Sequence, residues 1–130
     1  MSKDILEEII AHKRIEIAGQ EKVVSAAFLE KQLGEPVPAR SLKASLQSSP
    51  TGIIAEFKRR SPSKGWIHQD ADAGKIPAAY QQAGAAALSI LTDEAYFGGT
   101  LKDIRTARPT TSLPILRKDF IISRYQLLQA

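Results

Sequence analysis

Apolar residues near the amino terminus fall at helical spacing. Ile5, Leu6, Ile9 and Ile10 form one stripe, with Glu7 and Glu8 in a first turn and Ser2 placed to cap it. The pattern continues to residue 33, and Gly19 is expected to divide it into two helices. Ser25 can cap the second, which carries Phe28, Leu29 and Leu33 on one face, and Gly34 occupies the position that glycine favours after a helix. Two prolines make residues 35–40 a linker, residues 41–47 suit a short helix, and residues 48–52 are turn chemistry.

Beyond Gly52 the pattern changes. Residues 52–57 are a short apolar run bounded by turn residues, as expected of a strand covered on both faces. Residues 59–69, with Ser, Pro and Gly, read as a loop. Residues 72–83 are helical in composition, but Pro77 removes an interior hydrogen bond, so the helix should start near Ile76 and close at Gly84. Residues 86–91 form a second buried strand, and residues 92–99 another loop ending in Gly98-Gly99. Thr100 and Asp103 match a capping box for a helix reaching about Arg108. Residues 113–117 form a third strand, with Pro114 tolerable only near its start. Ser123 and Gln126 make a second capping box.

This β-α-β-α-β-α order points to a parallel α/β sheet with right-handed crossovers. The chain of 130 residues is the size of one ordinary domain, and 43% hydrophobic residues supply a core. No apolar run approaches the roughly 20 residues of a membrane span. The start lacks the basic-then-apolar order of a secretory leader, so a cytoplasmic protein is expected. With no cysteine, thiolate metal sites and cysteine nucleophiles are excluded.

Charge sharpens the picture. Residues 1–50 carry seven bases and seven acids, so the net +4 comes from residues 51–130, with eleven bases against seven acids. Four bases and one acid crowd residues 56–64. A local cluster suits a small anionic ligand at least as well as a nucleic acid, whose binders spread bases along a face and interleave aromatics, here only 6% of residues; no nucleic-acid partner is expected. His12 and His68 lack metal-ligand spacing and read as surface residues. Lys13-Arg14 reads as a solvated helix face, Trp66 as a loop residue packing on the sheet rim, and Gly98-Gly99 as a turn. Ser61 and Ser63 have no histidine at a recognisable spacing for nucleophilic catalysis, and neither a P-loop nor a GxGxxG motif is present.

Strand alternation then selects candidates. Ile54, Glu56 and Lys58 share one face, Ile53, Ala55 and Phe57 the other, and Leu116 and Lys118 repeat the first pattern. Ligands of parallel α/β folds bind beyond the carboxyl ends of the strands, where both lysines and the glutamate would meet. A lysine paired with a carboxylate suits a general acid or an anion clamp. The same spacing also fits strand-end charges in solvent, and spacing alone leaves both open.

The segment 54–65, Ile-Ala-Glu-Phe-Lys-Arg-Arg-Ser-Pro-Ser-Lys-Gly, resembles the signature of the indole-3-glycerol phosphate synthase family. Leu88-Ser-Ile-Leu-Thr-Asp93, Tyr96-Phe-Gly-Gly99 and Pro114-Ile-Leu-Arg-Lys-Asp-Phe-Ile121 fit the family in order and spacing, as does the helical amino-terminal extension. Ser123-Arg124 departs from the Asp-Pro of many relatives and touches only a helix cap.

The resemblance implies a (βα)8 TIM barrel and a carboxy-lyase of tryptophan biosynthesis, with no cofactor or metal. It implies ring closure, decarboxylation and dehydration of 1-(2-carboxyphenylamino)-1-deoxyribulose 5-phosphate. Lys118 is then the general acid at the ribulose carbonyl oxygen. Lys58 holds the substrate's anionic groups and protonates the departing hydroxyl, and Glu56 orients and charge-balances the lysines. Ser61 and Pro62 shape the first loop, while Phe97 and Phe120 pack on the aryl ring. A complete barrel needs about 250 residues and eight strands, so the chain is expected to be a truncated part. Residues 1–50 would be the helical extension and residues 51–130 the first three βα units. The family's general-base glutamate, a further glutamate-serine pair and most of the phosphate-binding backbone would lie in the second half. An isolated chain is expected to be inactive, and self-association or complementation with that half is expected. A non-catalytic barrel remnant serving as a binding or assembly module is the alternative.

Overall fold

The structure, a computed structural model, describes residues 4–130. The chain divides into two compact units. One contains the described residues up to Val37 together with Phe120–Ala130, and the other is Pro38–Asp119.

In the first unit, α1 (Ile5–Val23) is capped by Asp4, whose carboxylate accepts from the Leu6 amide at 3.2 Å. Ser2, the expected cap, lies outside the described residues. Gly19 does not divide the helix. Glycine costs about 1 kcal/mol against alanine in a helix interior, too little to end a helix that keeps its hydrogen bonds on both sides. The break falls at Val24, which turns extended, and Ser25 opens α2 (Ala26–Gln32) by accepting from the Phe28 amide at 3.1 Å. Leu33 ends α2 in extended backbone, and Gly34 does not take the left-handed conformation expected of a glycine cap.

The unit closes with α6 (Arg124–Gln129), whose capping box forms as expected between Ser123 and Gln126. The buried Tyr125 hydroxyl donates to the Val24 carbonyl at 2.6 Å, and Arg124 pairs with Glu30 at 2.7 Å. Lys13 is not on a solvated face. It is 2% exposed, with its ammonium 2.6 Å from Glu16, because it shares a helix face with the buried Ile9 and Ile17.

In the second unit, Ser41 caps α3 (Leu42–Ser48), and the Ser45 hydroxyl donates to the Ala86 carbonyl at 2.5 Å. The unit is built on three parallel strands, β1 (Ile54–Phe57), β4 (Ala87–Leu91) and β5 (Ile115–Lys118), in spatial order β1-β4-β5. Register places Glu56 beside Ser89 and Ser89 beside Leu116, while Leu91 lies beside Lys118. Helix α4 (Ile76–Gln82) starts where expected, with Pro77 in its first turn, where no hydrogen bond is lost.

Helix α5 (Leu101–Ala107) continues as a 3-10 turn, Arg108–Thr110. Thr100 caps α5 by accepting from the Lys102 amide, but Asp103 does not complete the expected box, because its carboxylate is bound to Arg59.

The sheet's two faces differ. Phe57 and Ile90 pack with Ala71, Ala73 and Ala107 into the core, flanked by Ile76, Ile104 and Ile115. On the opposite face Ile54 and Leu116 remain 43% and 46% exposed. Strand β4 is buried along its whole length, but β1 is not covered on both faces as expected.

The segment expected as a loop at 59–69 contains a small antiparallel hairpin, β2 (Arg60–Ser61) with β3 (Gly65–Trp66). The Ile67 amide donates to the Arg59 carbonyl at 2.8 Å, Gly65 takes φ 66°, and the Ser61 hydroxyl accepts from the Lys64 amide at 3.2 Å. The turn residues that suggested a loop are the hairpin's tip.

Candidate active site

Strand alternation turns Glu56 and Lys58 to the face opposite Phe57, and Lys118 arrives on that face from β5. The side chains meet across β4. Lys118 Nζ lies 2.7 Å from Glu56 Oε1, and Lys58 Nζ lies 3.7 Å from Glu56 Oε2. From the strand between, the Ser89 hydroxyl donates to Glu56 Oε1 at 3.3 Å. One carboxylate thus joins two ammonium groups at the carboxyl ends of the strands.

Burial alone pushes the Glu56 carboxyl up. The hydrogen bond and charge of Lys118, the charge of Lys58 and the Ser89 hydroxyl outweigh it, so the group sits below the ordinary carboxylate value. Glu56 stays ionised at neutral pH and keeps two cations close that would otherwise repel each other. The Lys118 side chain remains 54% exposed and the Lys58 side chain 32%, so both donors are open to a ligand from solution.

The other bases of the 56–64 cluster have different work. Arg59 shares a face with Phe57, lies 4.9 Å over its ring, and forms a two-pronged ion pair with Asp103 of α5. It also donates to the carbonyls of Ala71 at 3.0 Å and Gly98 at 3.2 Å. The Asp103 hydrogen bond, against the cost of burial, raises the Arg59 pKa. Arg60 lies 5.4 Å over Trp66 and donates to the Ala95 carbonyl at 2.7 Å. The local charge excess is therefore partly structural: Arg59 and Arg60 fix the hairpin, leaving Lys58 facing the site.

Ser61 is buried in the hairpin, 3.5 Å from the Ser63 hydroxyl, and Pro62 is exposed at its tip. Phe97 is half-buried in the loop after β4. Phe120 belongs to the first unit, where its carbonyl accepts from Gln126 Nε2 at 2.8 Å. Gly98 and Gly99 are more than a turn. Gly98 has φ 66° with the Trp66 ring 2.9 Å from where a Cβ would stand, and a Cβ on Gly99 would overlap the Leu91 carbonyl. Beside them lies a cleft of about 520 Å³ bounded by Arg60, Trp66, Gly98 and Thr100, and neither lysine lines it.

His12 and His68 are exposed, and no group of three metal-ligating side chains occurs among the described residues. Among the same residues no helix is long and apolar enough to cross a membrane.

Sequence reasoning gave no role to Ser89 and Thr92, and read Asp103 only as part of a helix cap. Ser89 lies within the apolar run 86–91 and Thr92 directly after it, a signal available in the sequence. Their partners depend on register between strands and helices, which a single sequence does not carry.

Parallel strands alternating with helices, with charged side chains gathered at the strands' carboxyl ends, define a parallel α/β protein of the kind that binds ligands at those ends. The family model described as "Indole-3-glycerol phosphate synthase" matches residues 6–130. A protein named indole-3-glycerol phosphate synthase from Bacteroides thetaiotaomicron is 60% identical over 128 residues, which cover 98% of this chain and 49% of that protein. One of the same name from Neisseria meningitidis serogroup B is 45% identical, over 98% of this chain and 50% of that protein. A third, from Prochlorococcus marinus, is 44% identical, over 99% of this chain and 44% of that protein. The chain belongs to the indole-3-glycerol phosphate synthase family, and it spans about half the length of these relatives. Its three parallel strands and their helices are part of that family's TIM barrel.

Proposed function

We propose that this chain supplies the first part of an indole-3-glycerol phosphate synthase active site, acting on 1-(2-carboxyphenylamino)-1-deoxyribulose 5-phosphate. The observation that carries the reading is the Lys58–Glu56–Lys118 bridge at the carboxyl ends of β1 and β5. The substrate carries a carboxylate and a phosphate, so a cationic mouth favours its binding. Ring closure places negative charge on the ribulose carbonyl oxygen, and a fixed ammonium donor stabilises that charge as it forms.

Lys118 delivers a proton to this oxygen as the aryl carbon bonds to the former carbonyl carbon. Loss of carbon dioxide restores the aromatic ring, and loss of the hydroxyl as water completes the indole. Lys58 holds the substrate's anionic groups and gives the proton that the departing hydroxyl needs. Glu56 keeps both ammonium groups within reach. Ser61 and Pro62 form the hairpin beside the substrate, and Phe97 and Phe120 are assigned to the aryl ring by the family resemblance. The general base and most of the phosphate site are assigned to the other half of the barrel, so turnover requires complementation. The setting of such a biosynthetic step is the cytoplasm.

Co-production of the chain with the carboxyl-terminal half of the Bacteroides relative, in a tryptophan auxotroph lacking this enzyme, tests the reading. Growth without tryptophan is expected. Failure to grow with both halves soluble and associated contradicts it.

A further inference from the structure

Thr92, the first residue after β4, holds three successive residues of the neighbouring strand end. Its amide donates to the Lys118 carbonyl at 3.0 Å. Its hydroxyl donates to Asp119 Oδ2 at 2.6 Å and accepts from Arg117 Nε at 3.1 Å. Arg117 Nη2 also lies 3.5 Å from Asp119 Oδ2, closing the network. Thr92 is buried, and the Arg117 and Asp119 side chains are only 12% and 2% exposed. Strand alternation puts Arg117 on the face opposite Lys118, and Asp119, just past the strand, meets Arg117 and Thr92 there. The clamp therefore touches no ligand on the lysine's side. It fixes the peptide units on both sides of Lys118 while leaving its side chain, 54% exposed, open.

A long lysine has up to about 2 kcal/mol of side-chain rotational freedom. Its ammonium stays 2.7 Å from Glu56 only if the backbone that launches it is fixed as well. Buried, charge-assisted hydrogen bonds are the stronger kind, and the two that the Thr92 hydroxyl makes hold the residues flanking Lys118.

We propose that Thr92 is a positioning residue for Lys118, acting through Arg117 and Asp119 to fix the strand end that presents the general acid. The inference rests on the assignment of Lys118 to the acid role and identifies what holds it in place.

The Glu56 carboxyl reports the position of Lys118, since that lysine is the first of the groups that lower its titration against burial. The test tracks the Glu56 carboxyl ¹³C signal against pH in the intact chain for wild type and for K118M, T92V, T92S and T92A. K118M sets the full upward displacement. T92V keeps the shape of the side chain but loses the hydroxyl, and most of the rise seen in K118M is expected. T92S retains the hydroxyl and is expected to titrate as wild type does. T92A also removes the hydroxyl, without leaving a branched side chain to be packed and without changing any charge, and should raise the midpoint too, which covers a T92V chain that does not fold. Wild-type Glu56 midpoints in folded T92V or T92A overturn the inference while leaving the synthase reading intact. An unmoved midpoint in K118M shows the Lys118–Glu56 pair absent, and overturns both the inference and the bridge beneath the proposed function.

Discussion

At the scale of single residues, neighbours on a strand divide the labour. Lys58 faces the site, whereas Arg59 turns through the sheet to Asp103 and Phe57. Lys118 faces the site, whereas Arg117 and Asp119 turn to Thr92. The two arrangements differ in energetic weight. The Lys118–Glu56 pair is half exposed, and such pairs contribute about 0–1 kcal/mol. Arg59 and Asp103 have side-chain exposures of only 16% and 8%, and removing one partner leaves a charge buried without its counterion. D103A should therefore destabilise the second unit by about 3 kcal/mol, and K118A by less than about 1 kcal/mol. Urea unfolding of the two variants checks this, and equal losses would contradict it.

Elements show which local rules prevail. Helix α1 passes through Gly19 because nothing stands within 4 Å of a Cβ there and its φ is ordinary, so the position costs only backbone entropy. G19A is expected to raise stability by about 0.5–1 kcal/mol. G99A has the same chemistry with the opposite sign, because its new methyl meets the Leu91 carbonyl. Thermal melts distinguish them: a higher midpoint for G19A, a lower one for G99A.

These positions also explain how far the sequence is legible. Local signals place the core of all three parallel strands, the Pro77 helix start and the Ser25, Ser41 and Ser123 caps, since each depends on residues a few positions apart. The helix break moves from Gly19 to Val24 because the Ser25 cap of the next helix decides it. The hairpin at 60–66 stays hidden because its strands are two residues each, too short for alternation to register. Lys13 reads as solvated because helical spacing names its neighbours without showing what covers them.

At the scale of the whole molecule, β1 and β5 each pair on one side within the described residues, and Ile54 and Leu116 of the open sheet face are exposed. A complete (βα)8 barrel has eight parallel strands, and the relatives that this chain matches are about twice its length. The candidate site was legible in part. Alternation put Glu56, Lys58 and Lys118 on one face, but their meeting through one carboxylate depends on β4 lying between β1 and β5, with Ser89 level with Glu56. The clamp behind Lys118 needs the same register and was out of reach of residue spacing.

The most direct test of the central claim is turnover by the reconstituted pair: this chain with the carboxyl-terminal half of a relative. Formation of the indole product would be monitored by fluorescence for wild type, K118A and K58A. The account predicts that K118A abolishes turnover while substrate binding, read as a Kd by titration, stays nearly unchanged, and that K58A weakens binding as well as lowering kcat. A K118A pair turning over at the wild-type rate would contradict it.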